Sequence, residues 1–144
     1  MTAMRVFNTV QLIGLWLLVP AVAFSQRRLV TDAEANASGA SQLTFSSADC
    51  SRAASLAAAD IANHLPFLIL QSGFAPQSFA ADTVFENSYG VFYREEGCTG
   101  SVKECVVLYN QQVFHYLTEK YGRQWLRTVR KDVVGLREWK KAQR

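Results

Sequence analysis

Cys50, Cys98 and Cys105, with His64 and His115, are the side chains of this 144-residue chain with the most chemical reach. A thiol–disulfide enzyme presents Cys-x-x-Cys at a helix start, where the helix dipole lowers the first thiol's pKa. Here six residues separate Cys98 from Cys105, and that spacing suits a structural staple instead. Cys98–Cys105 is the expected pair, because a turn from loop into helix brings a residue before the cap close to one in the second turn. Closing that short loop stabilises the fold by about 2.5 kcal/mol on the chain-entropy account. Cys50 is then the odd thiol, although a bond from Cys50 to either of the others would tie two helices together. Cys50, Cys98, Cys105 and His115 offer four zinc-compatible ligand types, but without the short paired spacings of structural zinc sites. No metal and no cofactor is expected.

A hydrolytic dyad would need His64 or His115 beside a nucleophile and an orienting carboxylate, and nothing in the spacing supplies one. No Gly-x-Ser-x-Gly elbow, phosphate loop or His-Glu-x-x-His run is present. An enzyme of unrecognised mechanism stays as the runner-up to a binding role, and no catalytic residue is assigned.

Charge is the remaining clue. From Glu119 to Arg144 there are nine Lys or Arg against three acidic residues. Arg123, Arg127, Arg130, Arg137 and Lys141 fall near helical spacing on one stripe, opposite Trp125, Val129, Val133 and Leu136. Such a face suits an anionic lipid surface, an envelope polymer or an acidic protein; nucleic acid is disfavoured if the chain is exported. The lipid alternative requires Trp125 or Trp139 to be exposed, whereas burial is expected for Trp125, Leu126 and Val129.

These residues need elements to hold them. Met1 to Arg5 is a short positive start, the next stretch is apolar as far as Phe24, and Ala23-Phe24-Ser25 places small residues where a signal peptidase reads. The uninterrupted apolar run from Leu12 is shorter than the roughly 20 residues a membrane-spanning helix needs. Residues 1–25 are therefore expected to be a signal peptide cut before Gln26, with an uncleaved anchor as the alternative. Export to a periplasmic or secreted location follows, and disulfides persist there. Removing 25 of the 144 residues leaves a net charge of about +2, too small on its own to imply a partner.

Residues 26–44 are rich in Ala, Ser, Thr and Asn and read as a flexible linker, with residues 45–144 as one globular domain. In that domain Ser46 or Ser47 can cap a helix running to Leu65, where Pro66 stops it. Phe67 to Leu70 is apolar and should be buried, as a further turn or a brief strand. Val84 to Arg94 is aromatic-rich and is expected to be a strand or hairpin pairing with that run. Ser101 and Glu104 have capping-box spacing, opening a helix from Val102 to Tyr121 that Gly122 ends. A final helix begins near Arg123, Gly135 weakens it, and Trp139 folds back on the core. The fold class is mainly α, a small single domain of about three helices, with α+β as the variant if the strand forms.

Gly97-Cys98-Thr99-Gly100-Ser101, Tyr109-Asn110, Tyr121-Gly122 with Trp125, and Arg130 through Leu136 resemble small exported bacterial proteins that carry no assigned function. The resemblance covers the last third of the chain. It implies an envelope or secreted location and a structural unit from Cys98 to Gly135, and transfers no activity.

Overall fold

A computed structural model describes residues 29–45, 49–71, 77–97 and 100–143. The expected signal peptide, Ser46, Ser47 and Cys98 lie outside them. The domain is mainly helical, with helices α1 (Asp32–Ala37), α2 (Gly39–Phe45), α3 (Ala53–Ala62), α4 (Ala80–Tyr89), α5 (Lys103–Tyr121) and α6 (Leu136–Ala142). Strands β1 (Phe67–Gln71) and β2 (Phe92–Glu96) form a parallel pair, with Phe67 opposite Phe92 and Gln71 opposite Glu96. A parallel pair needs a crossover, and α4 provides it.

The long α5 is the axis of the core. Tyr109, Val113, Phe114 and Leu117 are fully buried along it, facing α3 on one side and β1 on the other. Phe114 stacks on Trp125 at 5.6 Å and meets Trp139 at the same centroid distance, so one ring anchors both tryptophans.

Of the stretch expected to be a linker, the described residues from 29 onward hold α1 and most of α2. Thr31 and Glu34 cap α1 reciprocally. At α2 the backbone N–H groups of Gly39 and Ala40 donate to the Asp60 carboxylate of α3, at 2.7 and 3.0 Å. Ala40 and Leu43 are buried, and a Cβ on Gly39 would sit 2.6 Å from the Leu56 carbonyl oxygen, so α2 packs on α3 at a distance only glycine permits. The cap comes from a residue some twenty positions away, which local composition cannot reveal.

The strand expected over Val84 to Arg94 is divided. Residues 84–89 belong to α4, and only Phe92–Glu96 is strand. Asp82, Phe85 and Tyr89 recur at helical spacing, Asp82 accepts the Phe79 N–H, and Gly90 at φ 63° is a left-handed helix stop. Phe85 then stacks on Tyr93 at 5.1 Å, so the aromatic density staples α4 to β2. The pairing expected between the Phe67–Leu70 run and this strand does form.

The helix expected to begin at Ser46 or Ser47 instead opens with a 3-10 turn at Cys50–Arg52, capped by Asp49. It ends before Pro66 with His64 in the left-handed region at φ 57°. The expected Ser101–Glu104 capping box is not made: the Ser101 N–H and hydroxyl donate to Glu96 at the end of β2, at 2.7 and 2.9 Å. The expected final helix is broken into a 3-10 turn (Gln124–Arg127), an irregular segment of turns that bridges Val133 to Leu70, and α6.

The disulfide is Cys50–Cys105, not Cys98–Cys105. Cys105 is buried at the start of α5 beside the turn that opens α3, so the bond joins the two principal helices.

Candidate functional site

The expected basic stripe does not exist as one helix face, because the break between the 3-10 turn and α6 separates its members. Arg123 and Arg127 are exposed at the 3-10 turn. Arg130 is committed internally, its side chain only 9% exposed. Its Nε and Nη2 bond Asp132 at 3.0 and 2.6 Å, and its Nη1 bonds Asp82 at 3.2 Å, Glu95 at 3.0 Å and the Gln77 carbonyl at 2.7 Å. The guanidinium also lies over Phe79 and Tyr93, with centroids at 5.0 and 5.7 Å. The bond to Asp132 leads in raising the Arg130 pKa, and in return the guanidinium holds the Asp132 carboxyl below its ordinary value. Asp82, Glu95 and Asp132 are thus spent on one cation, and Arg130 joins α4, β2 and the 128–135 loop.

Beyond this clamp lies a groove of about 400 Å³ lined by Lys131, Leu136, Arg137, Lys140 and Lys141. Arg137 and Lys141 of the expected stripe belong to it. Lys131 and Lys140, which the stripe omitted, complete it. Gly135 at φ 79° makes the sharp entry into α6 that sets Lys131 beside the helix, a left-handed conformation that a residue with a side chain adopts only under strain. The other basic positions follow from helical spacing: Arg137, Lys140 and Lys141 are three and four residues apart and share a face. Had Gly135 been read as a helix start, that trio would have been visible in the sequence.

The groove is held from beneath. Asn110 of α5, fully buried, accepts the Ile69 N–H and donates to the carbonyls of Ile69 and Val134, each bond between 2.9 and 3.0 Å. Leu136 and Trp139 bury the inner face of α6. Lys140 donates to the Leu126 carbonyl at 3.3 Å, while Lys131, Arg137 and Lys141 are exposed. No carboxylate lines the groove. The site is a concentration of positive charge suited to an anion.

Trp125 and Trp139 are both buried, at 0% and 7% exposure, so the aromatic anchors that the membrane-surface alternative requires are not on the surface. Val129 is buried as expected, and Leu126 only half-buried. Neither histidine lines the groove or the recess around Arg130; His115 is exposed and rests edge-on against Trp139 at 4.4 Å. Among the described residues no group of three His, Cys, Asp or Glu could hold a metal ion, and no helix is long and apolar enough to cross a membrane.

Sequence and geometry together define a small mainly α domain built on a short parallel strand pair, with one inter-helix disulfide and a basic C-terminal groove. Comparison with known protein families, curated proteins and solved structures returns no match.

Proposed function

We propose that this protein is an exported, non-catalytic accessory of the cell envelope that binds an anionic partner through the groove of Lys131, Arg137, Lys140 and Lys141. The groove carries the reading: four cations converge with no acidic residue among them, on a wall fixed by the Arg130 clamp and by Asn110. Such preorganisation lowers the ordering cost of binding. The disulfide supports work in an oxidising compartment. A catalytic reading has less to draw on, since two of the three carboxylates lining the recess around Arg130, Asp82 and Glu95, are tied to that cation and the third, Glu86, accepts the Tyr93 N–H.

The test is salt elution from immobilised polyglutamate. A variant with Lys131, Arg137, Lys140 and Lys141 all changed to Gln should elute at clearly lower salt than wild type. Arg123→Gln with Arg127→Gln, outside the groove lining, should move elution little. Equal shifts per charge removed in the two variants would mean that net charge, not the groove, does the binding, and would overturn the proposal. Intact mass of the exported protein checks the address: loss of residues 1–25 and one alkylatable cysteine are expected, and retention of Met1 would refute cleavage.

A further inference from the structure

A second groove, of about 270 Å³, runs between the segment leading into α1 and strand β2. Leu29 and Ala35 form one wall and Phe67 and Phe92 of the paired strands form the other, the two rings 6.1 Å apart. Two opposite charges share this space without pairing. Glu86 of α4 is occupied through one oxygen only, accepting the Tyr93 N–H at 3.0 Å. Arg94 makes a single long bond, from Nη1 to the Ala35 carbonyl at 3.4 Å, and its Nε is buried without a partner. No ion pair joins the two, in contrast to the fully engaged Arg130.

Buried donors are almost always satisfied, and one that is not calls for an explanation. A groove that combines apolar side chains with a few convergent polar groups is a common form of small-molecule site. The geometry points to a binding site for a small zwitterion with an apolar side chain, the chemistry of a free hydrophobic amino acid. Its carboxylate accepts from the Arg94 guanidinium, its ammonium donates to the second oxygen of Glu86, and its side chain lies against Phe67 and Phe92. A simple anion would satisfy Arg94 but meet the charge of Glu86 unopposed, and a simple cation would do the reverse. Only a ligand carrying both charges uses both residues. The site is independent of the basic groove and stands whether or not that groove binds an anion.

Titration of the full chain with L-phenylalanine, followed by the backbone amide NMR signals of Phe92, Tyr93 and Arg94, tests the assignment. Saturable shifts are expected. 3-Phenylpropanoate, which lacks the ammonium, and phenethylamine, which lacks the carboxylate, should each bind about tenfold or more weakly. Glu86→Gln, which keeps an acceptor for the Tyr93 N–H, should weaken L-phenylalanine and leave 3-phenylpropanoate unweakened. Arg94→Gln should weaken L-phenylalanine and spare phenethylamine, with a thermal melt checking that the fold is kept; if it is not, the Glu86 variant decides. Absence of saturable shifts up to the solubility limit, or equal binding of all three probes, would overturn the proposal.

Discussion

Tyr109 and Asp60 show how one buried pair sets both a packing distance and a pH response. The Tyr109 hydroxyl donates to Asp60 Oδ2 at 2.5 Å, and the same carboxylate caps α2. Burial, reinforced by the charge of Asp60, pushes the Tyr109 pKa up from its ordinary value of 10.0. Tyr93 is pushed up as well, again chiefly by burial. The folded state therefore keeps these protons more tightly than the unfolded chain does. The stability they supply is complete below pH 10 and is lost progressively as pH climbs beyond it. Tyr109→Phe should cost about 1–3 kcal/mol near neutrality by urea unfolding. Its deficit against wild type should shrink above pH 10, as the hydroxyl's advantage disappears. A deficit that stays constant to strongly alkaline pH would show that the pair is not what titrates.

Among the elements, the segment from Val129 to Gly135 has the least intrinsic structure and the most imposed on it. It is neither helix nor regular strand. It is held by the Leu70–Val133 bridge, by Asn110 and by the Arg130 clamp. Asn110→Leu matches the burial but strands the Ile69 N–H and the Val134 carbonyl, while the Ile69 carbonyl keeps the Val134 N–H, and each unsatisfied group costs about 1–3 kcal/mol. A loss of at least about 2 kcal/mol is expected on that basis. Faster amide exchange at Ile69 should accompany it, along with earlier elution from polyglutamate, because the groove wall would no longer be fixed. A variant as stable as wild type would mean that the loop is held by the other contacts alone.

For the molecule as a whole, the disulfide contributes through the length of chain it closes. Cys50 and Cys105 are 55 residues apart, for which loop-closure entropy gives about 4 kcal/mol, against about 2.5 kcal/mol for the short Cys98–Cys105 loop. Cys50→Ser and Cys105→Ser should therefore lower the melting temperature by similar, large amounts. Reductant should bring wild type down to the same level, while Cys98→Ser leaves the melting temperature nearly unchanged. Sensitivity to Cys98→Ser equal to that of the other two would argue for a different pairing.

What the amino-acid sequence determined by itself was local. The mainly α class, the span of α5 with its glycine stop at Gly122, the Pro66 boundary and the burial of Trp125 all follow from periodicity, turn residues and hydrophobicity. Of the site, Arg137 and Lys141 were legible because they lie four apart on one short helix, whereas Arg130 was misplaced in the same stripe. Tertiary structure decided whatever depends on partners distant in the chain. Asp60 turns the composition of a linker into the capped helix α2, and Glu96 takes Ser101 from its capping box. Three carboxylates from α4, β2 and the loop withdraw Arg130 from the surface, and the packing of α3 on α5 brings Cys50 to Cys105. A polar or sulfur atom pairs with whatever the folded chain places within bonding distance, and spacing along the chain ranks only the nearest candidates.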